Sequence, residues 1–562
     1  MKKKIYLTIL PYWDPMIPPM GITSLKAFLQ DLGYIVKTED LIVKKESLEF
    51  YSNYFETLRK IVPVEKQGNF NNIGHDVLQN HMMAYQHNDD NEKYEELVSL
   101  LIYNHYYVNS DNKHVKELNN IVDDFYIMIG EYMLKQIAEF QPDVFGVTAY
   151  KCTIPASLYV LKLVKEYNPN IKTLMGGSTF NESHAPGSPS FNALLEVSKD
   201  YLDTILIGPG ELLMQAFLED KLDSRKRVFT KDDIGGDLIG LESQILPDYS
   251  DLDLNKYPCL VATASTSCIY ECSFCVAKKV GGPYRKKNPV QVVAEMIEMH
   301  KLYGNQLFFM TDSLINPALT DISNEFIKSE ASLYYDAYFK VDKESADIKN
   351  TLLWRKGGLY RVRLGAESGS QKVLNEMDKQ ITPEQIKASV SSLAYAGIKT
   401  TTYWVIGHPD ETEEDFQCTL DLIEELKDDI FQAECNYFLY HYSNQAKGDK
   451  WAQYRMPLYP EWANKMLVFK HWTLNYDPVR EETFKRVHRF EAHCRKLGIP
   501  NPYSYKEHYE ADKRWQKLHE NAVPGIMDFM KREKYINENL EVQIPSYTSN
   551  NQRGREKIIF DF

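Results

Sequence analysis

The stretch Ser265–Gly282, STSCIYECSFCVAKKVGG, holds three of the chain's eight cysteines: Cys268, Cys272 and Cys275, spaced C-x3-C-x2-C. No fourth cysteine or histidine follows nearby, and Cys152, Cys259, Cys418, Cys435 and Cys494 stand singly. A structural zinc site closes with four ligands, usually as two separated pairs. Three thiolates in one loop suit a four-iron, four-sulfur cluster with one iron left open. Such an iron can chelate a small molecule and pass it an electron. Zinc or inert packing is the competing reading of the triplet.

The loop sits after a run of β-type sequence, PCLVATASTS, which opens a series of strand and helix signals. Strand patterns recur at 306–313 (QLFFMTDS), 331–342, 359–368 (LYRVRLGAES), 399–409 and 433–442. Helical stretches such as NPVQVVAEMIEMHKLYG and TPEQIKASVSSLAYAG separate them, with Asn-Pro or Thr-Pro starts and Gly stops. Five or six units are fewer than an eightfold barrel needs, so a partial, open barrel is expected.

Ahead of it, strand patterns at Ile5–Leu10, 34–41, 143–150, 172–178 and 203–210 alternate with amphipathic stretches. That alternation predicts a parallel doubly wound sheet with its ligand beyond the strands' carboxyl ends. In the first helix Leu25, Phe28, Leu29 and Leu32 fall on one face, and Gly33 stops it. Residues 45–135 read as a helical insertion between the second and third strands. Gly176-Gly177-Ser178 and Gly208-Pro209-Gly210-Glu211 lie where strands end, either to let a bulky ligand approach the backbone or simply to turn the chain. No G-x-G-x-x-G or P-loop lysine motif occurs, which disfavours a dinucleotide or ATP. Residues 216–257 read as a linker, ending in a charged, weakly periodic stretch that Pro247 and Pro258 bracket. From 451 the pattern is helical and aromatic, with a polar tail after Pro545.

With 562 residues, two or three domains are expected. A net charge of −14 argues against nucleic-acid or acidic-membrane partners. No apolar run reaches the roughly 18 residues of a membrane span. Pro11, Trp13 and Asp14 interrupt the short apolar start, unlike a signal peptide. A cytoplasmic location is therefore expected, where clustered cysteines mean metal or redox chemistry.

Over about residues 258–450 the chain resembles the radical S-adenosylmethionine (radical SAM) enzymes. The resemblance implies that Cys268, Cys272 and Cys275 hold the cluster, with the SAM amine and carboxylate on the free iron. Phe274 would lie near the adenine. FFMTDS would bring Asp312 and Ser313 to the SAM amine, although it departs from the family's Gly-Gly-Glu form. RLGAESGSQKVLNEMDKQIT would put Glu367 and Ser368 near ribose or methionine. VIGHPDETEEDF resembles the fifth-strand G-x-P-x-E-T turn, while Thr412–Phe416 also reads as a capping box.

Residues 4–44 and 140–220 look like the cobalamin-binding Rossmann-like domain that precedes many radical SAM cores, the insertion being a departure. By this resemblance Pro18, Met20 and Gly21 line the corrin edge. Thr148, Ala149, Tyr150, Lys151 and Cys152, with Gly176, Gly177, Ser178 and Thr179, border the corrin and its nucleotide tail. Gly208, Pro209, Gly210 and Glu211 replace the family's Gly-Glu-Gly-Glu turn. No Asp-x-His-x-x-Gly motif is present, so no histidine is expected beneath cobalt. Cys152 reads as a cobalt ligand or, more plainly, as a soft buried thiol.

The expected architecture is thus α/β: a cobalamin-binding type doubly wound sheet at 1–215, a linker at 216–257, a partial (βα)6 radical SAM barrel at 258–450 and a helical region at 451–562. The resemblance implies SAM cleavage to a 5′-deoxyadenosyl radical and cobalamin-mediated methylation of an unactivated carbon in a small molecule or peptide. An external one-electron donor of flavodoxin or ferredoxin type is implied too. Alternatives are a non-methylating radical reaction (cyclisation, ring contraction or rearrangement) and a cluster-bearing sensor without turnover. Tyr403, His408, His441 and Tyr442, near strand ends, are candidate catalytic or substrate-contacting groups, with a structural role competing for His408. Trp451, Tyr454, Trp462, Trp472 and Tyr476 could form a lid or simply core.

Overall fold

The computed structural model describes residues 2–11, 17–236 and 239–530. Trp13 and Asp14 of the opening stretch, and the polar tail after Pro545, lie outside the described residues.

Strands β1 (Lys4–Ile9), β2 (Ile35–Asp40), β3 (Val144–Thr148), β4 (Lys172–Gly176), β5 (Thr204–Ile207) and β6 (Val228–Thr230) form a parallel sheet in the order β2-β1-β3-β4-β5-β6. Ile5, Tyr6, Leu7 and Ile9 are all buried, as a strand covered on both faces requires. The order reverses beside β1, and a ligand crevice belongs at that switch point.

Two expectations change here. Helix α1 (Met20–Asp31) buries Ile22, Thr23, Lys26 and Leu29, whereas Leu32 is exposed. Of the expected face, Leu29 is buried and Leu25 and Phe28 pack against the core from its edge. The fully buried stripe also takes in Lys26, 1% exposed, which reaches Asp251 at 2.9 Å and Asp248 at 3.3 Å. Those aspartates belong to the segment read as a linker, and β6 belongs to it as well, with Phe229 buried. Residues 228–230 therefore complete the first sheet, and Asp248 and Asp251 clamp its first helix. Gly33 does stop α1, at φ +82°.

Between β2 and β3 stand α2 (Lys45–Ile61), α3 (Phe70–His87), α4 (Asn91–Tyr106) and the 29-residue α5 (Asn112–Phe140). Phe50, Tyr54 and Phe55 of α2 bury against this bundle, with Phe50 stacked on Phe125 at 4.2 Å.

The second sheet contains β7 (Leu260–Ala262), β10 (Leu307–Met310), β11 (Tyr334–Phe339), β12 (Leu359–Glu367), β13 (Lys399–Ile406) and β14 (Gln432–Tyr437). Its order is β14-β13-β12-β11-β10-β7, with parallel neighbours throughout, which makes a six-stranded partial barrel. Between β7 and β10, the short strands β8 (Ser265–Thr266) and β9 (Arg285–Lys286) pair antiparallel. After the barrel, helices Arg480–Leu497 and Tyr505–Leu518 follow as expected, but the hairpin β15 (Arg455–Pro457) and β16 (Trp472–Leu474) interrupts the helical reading. Among the described residues no helix is long and apolar enough to cross a membrane.

Candidate active site

The β8–β9 pair closes the neck of a loop that carries all three clustered cysteines. The loop is fixed from several directions. The Ser273 N–H donates to the Met377 carbonyl (2.9 Å) and its hydroxyl to the Glu376 carbonyl (3.0 Å). From the other side, the Ala446 and Lys447 N–H groups reach the carbonyls of Cys275 and Ser273, both at 3.0 Å. Backbone N–H groups of Tyr270 and Ala277 point at the sulfurs of Cys268 and Cys275, both at 3.4 Å. Burial pushes the Cys272 and Cys275 thiols up; the other cysteines add to this, and Lys379 opposes it. Among the described residues no three His, Cys, Asp or Glu side chains converge on the position of a single ion.

A cavity of about 1430 Å³ runs from the carboxyl ends of the first sheet into the barrel. Pro18, Met20, Thr148, Gly177 and Gly208 border it on one side, and Thr263, Arg363, Tyr403 and Glu434 on the other. This exceeds the roughly 300–1,000 Å³ typical of one small-molecule pocket. A Cβ on Gly208 would meet nothing within 4 Å, so that turn opens onto free space, at φ +103°. The insertion contributes too, through Asn72 and His75 of α3.

Residues 263–423 match the model of the radical SAM superfamily. The chain carries a radical SAM domain. It is 25% identical over 323 residues to an anaerobic magnesium-protoporphyrin IX monomethyl ester cyclase of Rubrivivax gelatinosus, covering 53% of this chain and 56% of the relative. It is 26% identical over 319 residues to an uncharacterized methyltransferase of Pyrococcus horikoshii, covering 53% and 67%. The alignments thus span about half to two thirds of these relatives. The radical S-adenosylmethionine methyltransferase TsrM from Kitasatospora setae, solved with cobalamin and a 4Fe-4S cluster bound, superposes with a TM-score of 0.56 over 88% of this chain and 89% of that one. At 16% identity, this is a likeness of fold.

Within the radical SAM domain Asp312 departs from expectation. Its carboxylate is fully buried and accepts the Ala264 N–H (3.1 Å) and the Ser265 hydroxyl. It straps the base of the cysteine loop, and burial pushes its pKa up to about 6. Ser313 is exposed. Glu367, at φ +64°, pairs with buried Lys379 at 2.6 Å, and Lys379 also lies 5.9 Å from the centre of the Phe274 ring. Ser368 is buried against Thr419 and accepts the Ser370 N–H, so its hydroxyl is held within the protein. In the fifth-strand turn, Thr412 and Asp415 form the capping box.

Of the residues expected at the corrin, Pro18, Met20, Gly21, Thr148, Tyr150, Gly176, Gly177, Ser178, Gly208, Pro209, Gly210 and Glu211 border the cavity. Ala149, Lys151, Cys152 and Thr179 do not. Lys151 turns to Asp76 of α3 at 2.5 Å, and Thr179 bonds to His184 at 3.1 Å. Cys152 is buried, which raises its thiol to about 12.

Of the four candidate groups near strand ends, Tyr403 borders the cavity and its hydroxyl accepts from Arg363 at 3.2 Å. His408 is instead buried edge-on against Phe438 and Trp451, and burial lowers its pKa to about 4. His441 is half-buried outside the cavity, and Tyr442 packs on Trp472 at 5.3 Å. None of Trp451, Tyr454, Trp462, Trp472 and Tyr476 borders the large cavity; Trp472 and Tyr476 border a separate one of about 50 Å³.

Sequence reasoning missed the charged lining of the barrel: Arg361, Arg363 and Glu434. The signal was present as the alternations R-x-R and Q-x-E within strand patterns, where a packed barrel would show branched aliphatic residues.

Proposed function

We propose that this protein is a cobalamin-dependent radical SAM methyltransferase acting on an unactivated carbon of a small molecule or peptide. Cys268, Cys272 and Cys275 would hold a 4Fe-4S cluster with one open iron, where SAM docks beside Phe274 and the Glu367–Lys379 pair. The twelve cavity-lining residues of the first sheet, from Pro18 to Glu211, would hold cobalamin. When bound, these groups supply one-electron cleavage of SAM and a transferable methyl group.

The observation that carries this reading is one continuous cavity shared by the glycine turns of the first sheet and the barrel lumen. Three thiols in one braced loop, with no fourth cysteine or histidine nearby in sequence, suit a multi-iron cube with one open iron. The open turn at Gly208 suits a ligand pressed against the backbone. The chain's own work is to brace the cysteine loop through Asp312, to orient substrate in the lumen, and to exclude water from a radical. An external flavodoxin- or ferredoxin-type donor would deliver the electron.

The test is the anaerobic absorption spectrum of the reconstituted protein, followed by assay with methyl-labelled SAM. Iron–sulfur charge-transfer and corrin bands should appear together, and label should reach the substrate. A cluster without corrin uptake would defeat the cobalamin assignment.

A non-methylating radical reaction is the second reading, favoured by a cyclase and a methyltransferase aligning over equal shares of this chain. Production of 5′-deoxyadenosine with substrate turnover but without label transfer would select it.

A further inference from the structure

Side chains alternate across a strand, so one face of each barrel strand supplies the lumen. That face presents Arg361 and Arg363 from β12, Tyr403 from β13, and Gln432 and Glu434 from β14, at successive levels and all bordering the cavity. Tyr403 and Glu434 are direct neighbours across the sheet. Charged groups in this position are costly unless paired or used.

Their pairing is incomplete in a specific way. Both guanidinium groups share one carboxylate, Asp336: Arg361 donates through Nε at 2.7 Å, and Arg363 through Nη2 at 2.9 Å. That trio leaves one positive charge. Arg361 Nη1 has no protein acceptor among the described residues, and Arg363 Nη1 uses one bond on Tyr403. Glu434 supplies the balancing negative charge. One of its oxygens accepts from Asn72 of α3 at 3.2 Å, and the other takes no protein donor among the described residues. Lys399, in register with Arg361, is compensated by Asp512. The lumen is thus balanced overall, yet offers open donors on one strand and an open acceptor two strands away. A purely anionic or cationic guest would leave one side uncompensated away from water. A guest carrying both charges completes both sides.

We infer that the lumen binds a small dipolar ion of the α-amino-acid type, its carboxylate on Arg361 and Arg363 and its ammonium on Glu434. The rings of Phe309 and Tyr338, 4.9 and 5.8 Å from the Arg363 guanidinium, give its side chain an apolar wall. The inference rests on the reading of this cavity as the substrate chamber.

The test uses the full-length chain, reconstituted anaerobically with cluster, cobalamin and SAM. It is titrated calorimetrically with the free α-amino acids, and with the matching amines and carboxylic acids that lack one charge each. At least one amino acid should bind, with both of its analogues weaker by about 10- to 100-fold. Glu434→Gln should weaken the amino acid and the amine but not the acid. Arg361→Lys, which keeps the charge but loses the fork, should weaken the amino acid and the acid but not the amine. If no amino acid binds, or if either analogue binds as tightly, the inference falls. Absorption spectra of the same samples separate the two claims. Cluster and corrin bands without amino-acid binding remove this inference alone. Missing corrin bands remove the cofactor reading, and the titration still decides the dipolar ligand.

Discussion

Asn72, in the first turn of helix α3, donates a 3.2 Å hydrogen bond to Glu434 on the last strand of the barrel. More than three hundred residues apart in sequence, the two bring the helical insertion to the wall of the barrel lumen. The insertion is therefore part of the chamber.

Replacing Cys268, Cys272 and Cys275 by Ala, singly or together, is expected to abolish 5′-deoxyadenosine formation and bound iron. The circular dichroism spectrum should stay native, because the loop is also braced by backbone bonds to residues 376–377 and 446–447. SAM cleavage surviving in the triple variant would sink the ligand assignment.

Asp312→Asn separates a strap from a cofactor contact. Asn can accept only one of the two bonds from Ala264 and Ser265, so the loop base should lose about 1–3 kcal/mol. Bound iron and Tm should fall together. If iron and Tm hold while SAM affinity drops, Asp312 meets SAM instead.

The glycines of the first sheet should divide by mechanism. A Cβ on Gly177 would lie 2.4 Å from the Ala149 carbonyl oxygen at φ +118°, so Gly177→Ala should cost about 1–3 kcal/mol and weaken corrin uptake through the fold. Gly21 faces the cavity, with its nearest neighbour at 3.9 Å. Gly21→Leu should leave Tm unchanged and block corrin uptake, read as lost visible absorption.

Asp415 gives the acid limb of stability a definite sign. Burial works against its ionised form, but bonds from Lys372, Ser370 and Thr412 win and lower its pKa from 3.8 to about 2. Its contribution is present above pH 3.8 and fades as pH falls through 2. Asp415→Asn should cost about 1 kcal/mol at neutral pH through the weakened cap. It should also flatten the loss of stability on acidification, followed by circular dichroism between neutral pH and pH 2.

Cys152→Ala should leave the corrin spectrum unchanged, since the thiol is buried and does not border the cavity. A shifted cobalt band in the variant would show that the thiol reaches the metal.

Much of the plan was legible in the chain. Strand patterns in both halves became strands because continuous apolar runs bounded by Gly and Pro signals constrain the local backbone strongly. The cysteine spacing singled out the loop, and Gly33 and Thr412 marked the end of one helix and the start of another. What failed depended on partners distant in sequence. Lys26 of α1 is buried against Asp248 and Asp251, a pairing that helical periodicity does not show, and Leu32 lies off the buried face. Short β6 acquired its meaning by pairing with β5.

Sequence alone singled out the cysteine loop and laid out the two α/β halves, because residue spacing and hydrophobic period are local properties. Tertiary structure decided which carboxylates are spent and which are available. Asp312 is used up on the Ala264 N–H and the Ser265 hydroxyl beside the cysteines, whereas Glu434 keeps an oxygen open to the lumen. That difference lies in what each side chain meets across the fold, and no window of sequence contains it.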